Sequence, residues 1–172
     1  MSDIVESIQS SLPEDSERIL LLQEMPIFGA LSAEAIAFLE QRCEHVEMPA
    51  GQFFFHEGDP AQSLYILERG YAEALKQCGK ELRSIRALTG GESFGEMAIC
   101  DMNPRGASVK AITDCTALEL PASALYELYQ FDLEQFTLIQ MNMLREISRR
   151  LRYLNDKLAK SQPEMLDKAS RV

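Results

Sequence analysis

The stretch that decides the reading is Gly90-Gly91-Glu92-Ser93-Phe94-Gly95-Glu96-Met97-Ala98-Ile99, followed by Cys100-Asp101-Met102-Asn103 and Pro104-Arg105-Gly106-Ala107-Ser108-Val109. Three glycines within six residues leave the backbone free of Cβ obstruction, able to turn tightly and approach a ligand closely. Glu96 opens a short apolar run that predicts one helical turn, and free N–H groups at a helix start attract an anion. Pro104 fixes one backbone angle, and Arg105 follows with a planar fork suited to phosphate. Ala107, Val109 and Ala111 then alternate with Ser108, Lys110 and Ile112, which reads as a strand with one narrow face. That face either lines a cavity or packs under a helix. A carboxylate, several N–H groups and one guanidinium on a turn-helix-turn suit a small ligand bearing one phosphate charge and hydroxyls. The plain alternative is a surface turn closed by a Glu96–Arg105 salt bridge.

Outward from this stretch, the chain between His45 and Leu120 breaks into short runs separated by Gly, Pro and Asp. The runs are Val46–Met48, Gln52–His56, Leu64–Leu67, Ala72–Gln77, Leu82–Leu88, Ala107–Ile112 and Thr116–Leu120. Short strands with turn signals at this spacing predict an all-β sandwich or barrel, with Gly58-Asp59-Pro60 and Gly90-Gly91 as turns. Upstream, Glu14–Glu24 reads as a helix halted before Pro26. Ser32 caps a second helix running to about Cys43, with Ile36, Leu39 and Cys43 on one face.

Downstream, Pro121 suits the first turn of a short helix through Tyr129. Asp132, with Gln135 three residues on, forms a variant capping box for a last helix from Leu133 to about Lys160. Within it Leu144, Ile147, Leu151, Leu154 and Leu158 recur at spacings of three and four, a heptad seam flanked by Arg145, Arg149, Arg150 and Arg152. So short a seam is not stable alone, so it packs either on its own barrel or on a twin helix. The expected class is α+β, a jelly-roll-like barrel of about eight strands between N-terminal helices and a long C-terminal helix. Helices would occupy 14–44, the barrel 45–120 and further helices 121–160, with flexible segments at 1–13 and 161–172.

The 172 residues, 46% hydrophobic and 26% charged, fit one domain with a real core. A net charge of −10 argues against a nucleic-acid surface and repels anions at long range, so an anionic ligand depends on local donors. No run approaches the length of a membrane span, and the acidic N-terminus lacks the form of a secretory signal, so the expected location is the cytoplasm. The cysteines, Cys43, Cys78, Cys100 and Cys115, form no C-x-x-C pair and read as reduced, mostly buried side chains. Two isolated histidines, His45 and His56, offer no metal cluster, and no nucleophile–base pairing suggests an enzyme.

Phe94-Gly95-Glu96-Met97-Ala98 and Pro104-Arg105-x-Ala107-Ser108-Val109, with nine positions from Glu96 to Arg105, resemble the phosphate-binding cassette of cyclic nucleotide-binding domains. That family includes the catabolite activator protein, kinase regulatory subunits and cyclic nucleotide-gated channels. Pro49-Ala50-Gly51, Glu57-Gly58-Asp59-Pro60, Ser63-Leu64-Tyr65-Ile66-Leu67 and Gly70 agree with it, over about Met25 to Asn155. The resemblance implies that Arg105 pairs with the oxygens of a cyclic phosphate and that Glu96 accepts from the ribose 2′-hydroxyl. It also implies that backbone N–H groups near Glu96, Met97, Ala98 and Ala107 complete the cradle, with Gly95 permitting close approach.

Ala74 and Ile85 align loosely with base-pocket positions, and Arg86 either approaches a purine edge or faces solvent. Arg149, Arg152 and Tyr153 are candidate lid residues or plain surface residues. Gly106 departs from the Ala, Ser or Thr often found there and supplies no hydroxyl, which favours cyclic AMP over cyclic GMP. The resemblance thus implies a non-catalytic sensor that signals through its C-terminal helices, with a possible homodimer through the heptad seam and an unidentified effector. The DNA-binding module of some relatives is not expected here. The alternative is a ligand-free interaction or dimerisation domain on the same fold.

Overall fold

In strand β3 (Ser63–Arg69) every residue from Ser63 to Leu67 is buried, on both faces, because two cores claim it. In the computed structural model, which describes residues 14–161, β3 lies inside a four-stranded antiparallel sheet. Its order is β1 (Glu44–Met48), β8 (Cys115–Pro121), β3, β6 (Ser93–Phe94). A second four-stranded sheet runs β2 (Phe53–Phe55), β7 (Ser108–Ala111), β4 (Tyr71–Cys78), β5 (Glu81–Thr89). The roll is therefore two open sheets rather than a closed barrel. Seven strands coincide with the sequence runs; the eighth, β6, is two residues long and leaves no periodic pattern to read.

Alternation along the strands sorts the two cores. Leu64 and Ile66 of β3, with Leu118 and Leu120 of β8, join Leu22, Ile27, Phe28, Ile36, Leu39, Leu125, Leu128 and Ile139 beneath the helices. Tyr65 and Leu67 point the other way and pack between the sheets with Leu88, Phe94, Val109 and Ala117, flanked by Phe54, Phe55 and Ala74. Val109 and Ala111, the narrow face of the cassette strand, thus line the space between the sheets.

The helices are α1 (Glu14–Gln23), a 3-10 turn at Pro26–Phe28, α2 (Ala33–Glu40), α3 (Glu96–Asp101), α4 (Ala122–Phe131) and α5 (Leu133–Ser161). Ser32 caps α2, its hydroxyl accepting from Ala35 N at 3.1 Å. Pro121 stands one residue before α4 rather than inside it. The Asp132 carboxylate accepts from Glu134 N and Gln135 N at the start of α5. Gln135 does not close the expected capping box. Its carbonyl instead accepts from Ser32 N at 2.8 Å, tying α5 to α2. Only part of the cysteine expectation holds: Cys115 is buried and Cys43 half-buried, but Cys78 sits in an exposed hairpin and Cys100 on the outer side of α3. Of the flexible segments expected at 1–13 and 161–172, Ser161 is the last residue of α5, and the rest lie outside the described residues.

Candidate functional site

Gly95 is where the cassette is built. It joins β6 to α3 with φ +81°, a left-handed conformation that a side chain rarely adopts. A Cβ there would stand 2.5 Å from Nη1 of Arg105 and 3.4 Å from the Phe55 ring. Glycine is therefore needed twice, for the backbone turn and for the guanidinium that fills the space. The loop carrying Arg105 is held by backbone bonds to the β2–β3 turn: Gly58 N to Arg105 O at 2.8 Å and Arg105 N to Asp59 O at 2.9 Å. Ser108, one of the cassette's polar positions, is buried and accepts from Glu57 N at 2.9 Å.

The surface salt-bridge alternative does not describe this site. Glu96 is only 1% exposed and Arg105 only 4%. Arg105 donates from Nη1 to the Gly95 carbonyl at 2.9 Å and from Nη2 to Ser63 Oγ at 3.3 Å, and it stacks on Phe55 at 4.1 Å. Its Nε–H, also buried, finds no partner. Burial lowers the affinity of this guanidinium for its proton, opposed by Tyr65, Glu119 and Asp59. A guanidinium has five N–H donors; with two committed, three remain for an anion.

Glu96 is the first residue of α3, a helix of only six residues, so positive charge at the cassette comes from the guanidinium groups of Arg105 and Arg150 rather than a helix dipole. One Glu96 oxygen, Oε1, is bonded to Arg150 of α5, and Oε2 is buried without a partner. Arg150 also donates to the Ser93 carbonyl at 2.5 Å. Its side chain is 18% exposed, and burial together with neighbouring Arg86 pulls its pKa down to about 10, with Glu92 opposing. The long final helix thus reaches the cassette through a half-buried arginine, Arg150.

The remaining candidates divide. Ala98 is buried and Ala107 half-buried, whereas Met97 is 60% exposed. Gly106 has open space where a side chain would stand, and its carbonyl accepts from Lys76 Nζ at 2.7 Å. Ala74 faces the space between the sheets, paired with Val109 and Arg86 on its two sides. Ile85 lies at the register shift between Ala74 and Leu75, on an exposed part of β5. Arg86 turns to Glu92 at 2.5 Å. Arg149 is exposed and bonds Glu146 of its own helix, and Tyr153 is exposed beside Lys157 at 4.6 Å. Arg152 is exposed. The structure does not bring these three lid candidates to the cassette; it brings Arg150.

Sequence reading missed Arg150, Ser63 and Glu119. Arg150 was visible as one of several arginines beside the seam, but which of them faces the cassette depends on how α5 crosses the sheets. Ser63 and Glu119 did carry a signal. Each is a polar residue at an inward position of a strand otherwise apolar on that face. Among the described residues, no group of three or more His, Cys, Asp or Glu could hold a metal ion. No described helix is long and apolar enough to cross a membrane.

Known proteins resemble this chain in sequence and in fold. The chain is 34% identical over 99 residues to a cAMP-dependent protein kinase regulatory subunit of Emericella nidulans, covering 58% of this chain and 24% of that protein. It is 31% identical over 140 residues to a CRP-like cAMP-activated global transcriptional regulator of Mycobacterium tuberculosis, covering 81% of this chain and 61% of the regulator. The match therefore spans about a quarter of the first relative and under two thirds of the second. In fold, it resembles the crystal structure of a cyclic nucleotide-binding domain from Methylobacillus flagellatus, with a TM-score of 0.76, 23% identity and coverage of 86% and 84% of the two chains. The sequence profile of the cyclic nucleotide-binding domain matches residues 45–132, from β1 to the end of α4, and the chain belongs to that family.

Proposed function

We propose that this chain is a non-catalytic sensor that binds a cyclic nucleotide, cyclic AMP in preference to cyclic GMP, in the cassette from Gly95 to Ala107. The observation that carries the reading is a buried guanidinium and a buried carboxylate set around one glycine, each with an uncommitted polar atom, Arg105 Nε and Glu96 Oε2. Groups buried in that condition cost stability, and a phosphate and a hydroxyl match them in charge and hydrogen-bonding sense. The relatives named for cyclic AMP support the choice of nucleotide, as does the missing hydroxyl at Gly106.

Signalling would run through α5. Arg150 occupies Glu96, the acceptor that the family pattern gives to the ribose. A ligand hydroxyl bonded to the free Oε2 draws on the same carboxylate charge that holds Arg150 at Oε1 and weakens that latch, so binding energy shifts α5 between a latched and a released position. The outer half of α5 carries Leu144, Leu151 and Leu154, all exposed, with half-buried Ile147 on the same seam. A parallel homodimer through this seam, extended to Leu158, would give the released helix a readout, as would an effector protein bound by α4 and α5. Neither nucleic acid nor membrane enters this reading, and its setting is the cytoplasm.

Calorimetry with cyclic AMP and cyclic GMP tests it. Arg105→Ala is expected to weaken binding at least about tenfold, since one decade is about 1.4 kcal/mol and a charged hydrogen bond contributes about 1.5–3 kcal/mol. Arg150→Met is expected to tighten binding by about threefold or more by removing the competitor, and to speed hydrogen exchange along residues 144–154 in the free chain. An Arg105→Ala variant that binds like the wild type would sink the assignment. No binding of either nucleotide would leave the interaction-domain alternative.

A further inference from the structure

Arg105 is held by more than the cassette. Its Nη2 leans on Ser63 Oγ at 3.3 Å, and the Ser63 hydroxyl donates its own proton to Glu119 Oε1 at 2.5 Å. Ser63 lies at the start of β3 and is 6% exposed, while Glu119 lies on β8, two residues from the Ser63 register partner Pro121, on the same inward face. The three groups meet at a cavity of about 500 Å³ that Asp59 and Tyr65 also line. None of these contacts belongs to the cassette sequence. They come from the β2–β3 region and from the strand that leads into α4.

A serine hydroxyl has one proton and two lone pairs. With the proton committed to a carboxylate, the lone pairs are turned toward the guanidinium, and the hydroxyl acts only as an acceptor there. Left without the carboxylate, the hydroxyl would rotate, and the guanidinium would lose a fixed support on that side. Burial, with the nearby charge of Glu119 second, pushes the Tyr65 hydroxyl above its ordinary value, which agrees with a carboxylate charge reaching into this interior.

Resting on the cyclic nucleotide reading of the cassette, we propose that Ser63 and Glu119 are positioning residues: Glu119 orients the Ser63 hydroxyl, which holds the Arg105 fork ready for the ligand's phosphate. They touch no ligand themselves. Support of this kind acts on geometry, so its loss weakens binding without removing the charge that binds.

The experiment uses the full chain and cyclic AMP as the calorimetric probe. Ser63→Ala and Glu119→Leu are each expected to weaken binding about three- to tenfold, and the double variant no more than Ser63→Ala alone, because one hydrogen-bonded path carries both effects. Glu119→Gln, whose amide oxygen still accepts the hydroxyl proton, should restore what Glu119→Leu loses. In an Arg105→Lys background, where Nη2 does not exist, Ser63→Ala should cost less than about twofold. Wild-type affinity in Ser63→Ala overturns the proposal. So does an unchanged loss in the Arg105→Lys background, or tighter binding by Glu119→Gln, which would mark Glu119 as no more than a charge repelling the anion.

A second readout needs no ligand. The side-chain Nε–H signal of Arg105 in ¹⁵N-labelled free protein should shift or broaden in Ser63→Ala and Glu119→Leu and return in Glu119→Gln. If the wild type binds neither nucleotide, the functional reading fails, and this spectrum alone decides whether the serine and the carboxylate hold the arginine. A signal unmoved in both variants overturns the positioning role.

Discussion

The two faces of the β3–β8 sheet are built from one pair of strands and serve opposite ends. On the helix-covered face Leu64, Ile66, Leu118 and Leu120 are all fully buried among apolar side chains. On the facing interior the same strands present Ser63, Tyr65 and Glu119, and the cassette adds Arg105. The first face gains from removing apolar area from water, which is additive and tolerant of detail. The second holds charges out of water, which is favourable only when each finds a defined partner. One face is made for stability, and the other holds the groups on which the proposed binding rests.

The sharpest way to break that division is Leu120→Ala. Truncating a fully buried leucine on the helix side should cost about 2–5 kcal/mol in a urea titration. At about 2–4 °C per kcal/mol for a chain of this size, the midpoint of melting should fall by roughly 5 °C or more. Cyclic AMP affinity of the folded protein should stay within about twofold, since the cassette meets that core through the apolar side chain of Ile99 and not through Arg105 or Glu96. A large loss of affinity would show that the two faces are not separable.

Gly95→Ala should strike both properties at once. The φ of +81° strains any side chain, at about 1–3 kcal/mol, and the added Cβ meets Nη1 of Arg105 at 2.5 Å. Stability should drop by less than in Leu120→Ala, while nucleotide binding weakens because the guanidinium is displaced. Calorimetry and a melting curve on the same sample separate the two effects.

The smallest expected effect is electrostatic. Burial pushes the Glu92 carboxyl up, but the Thr89 N–H at 2.8 Å and the Arg86 guanidinium outweigh it and hold it below its ordinary value. A carboxyl depressed by folding adds stability above its unfolded pKa, and that stability is lost as pH falls through the folded pKa. Urea midpoints measured from about pH 5 down to about pH 3 should therefore fall less steeply in Glu92→Gln than in the wild type. An identical acid limb would show that the Glu92–Arg86 pair at the rim carries no folding energy.

Most of the fold could be read before any coordinates, for reasons that differ by element. The strands β1 to β5, β7 and β8 each carry an alternating or continuous apolar run bounded by turn residues. The Leu133–Ser161 helix carries a repeat long enough to show its phase. Strand β6 carries none, since two residues cannot show a period. Gln135 has the spacing of a capping box, yet its side chain found a better donor in Ser32, a residue more than a hundred positions away. Arg149, Arg152 and Tyr153 drew attention as a lid, while Arg150, one residue along, is the side chain that enters the site.

What the sequence determined alone is local: the glycine turn at Gly95, the carboxylate and guanidinium nine positions apart, and the seam on the last helix. These follow from backbone sterics and periodicity, which act over a few residues and survive any arrangement of the rest. Only the tertiary structure decided which partners those charges take. Glu96 meets Arg150 from 54 positions downstream, and Arg105 meets Ser63 from 42 positions upstream. Such pairings depend on how two sheets and a helix cross, and a hydrogen bond a few ångströms long records that crossing where a sequence pattern does not.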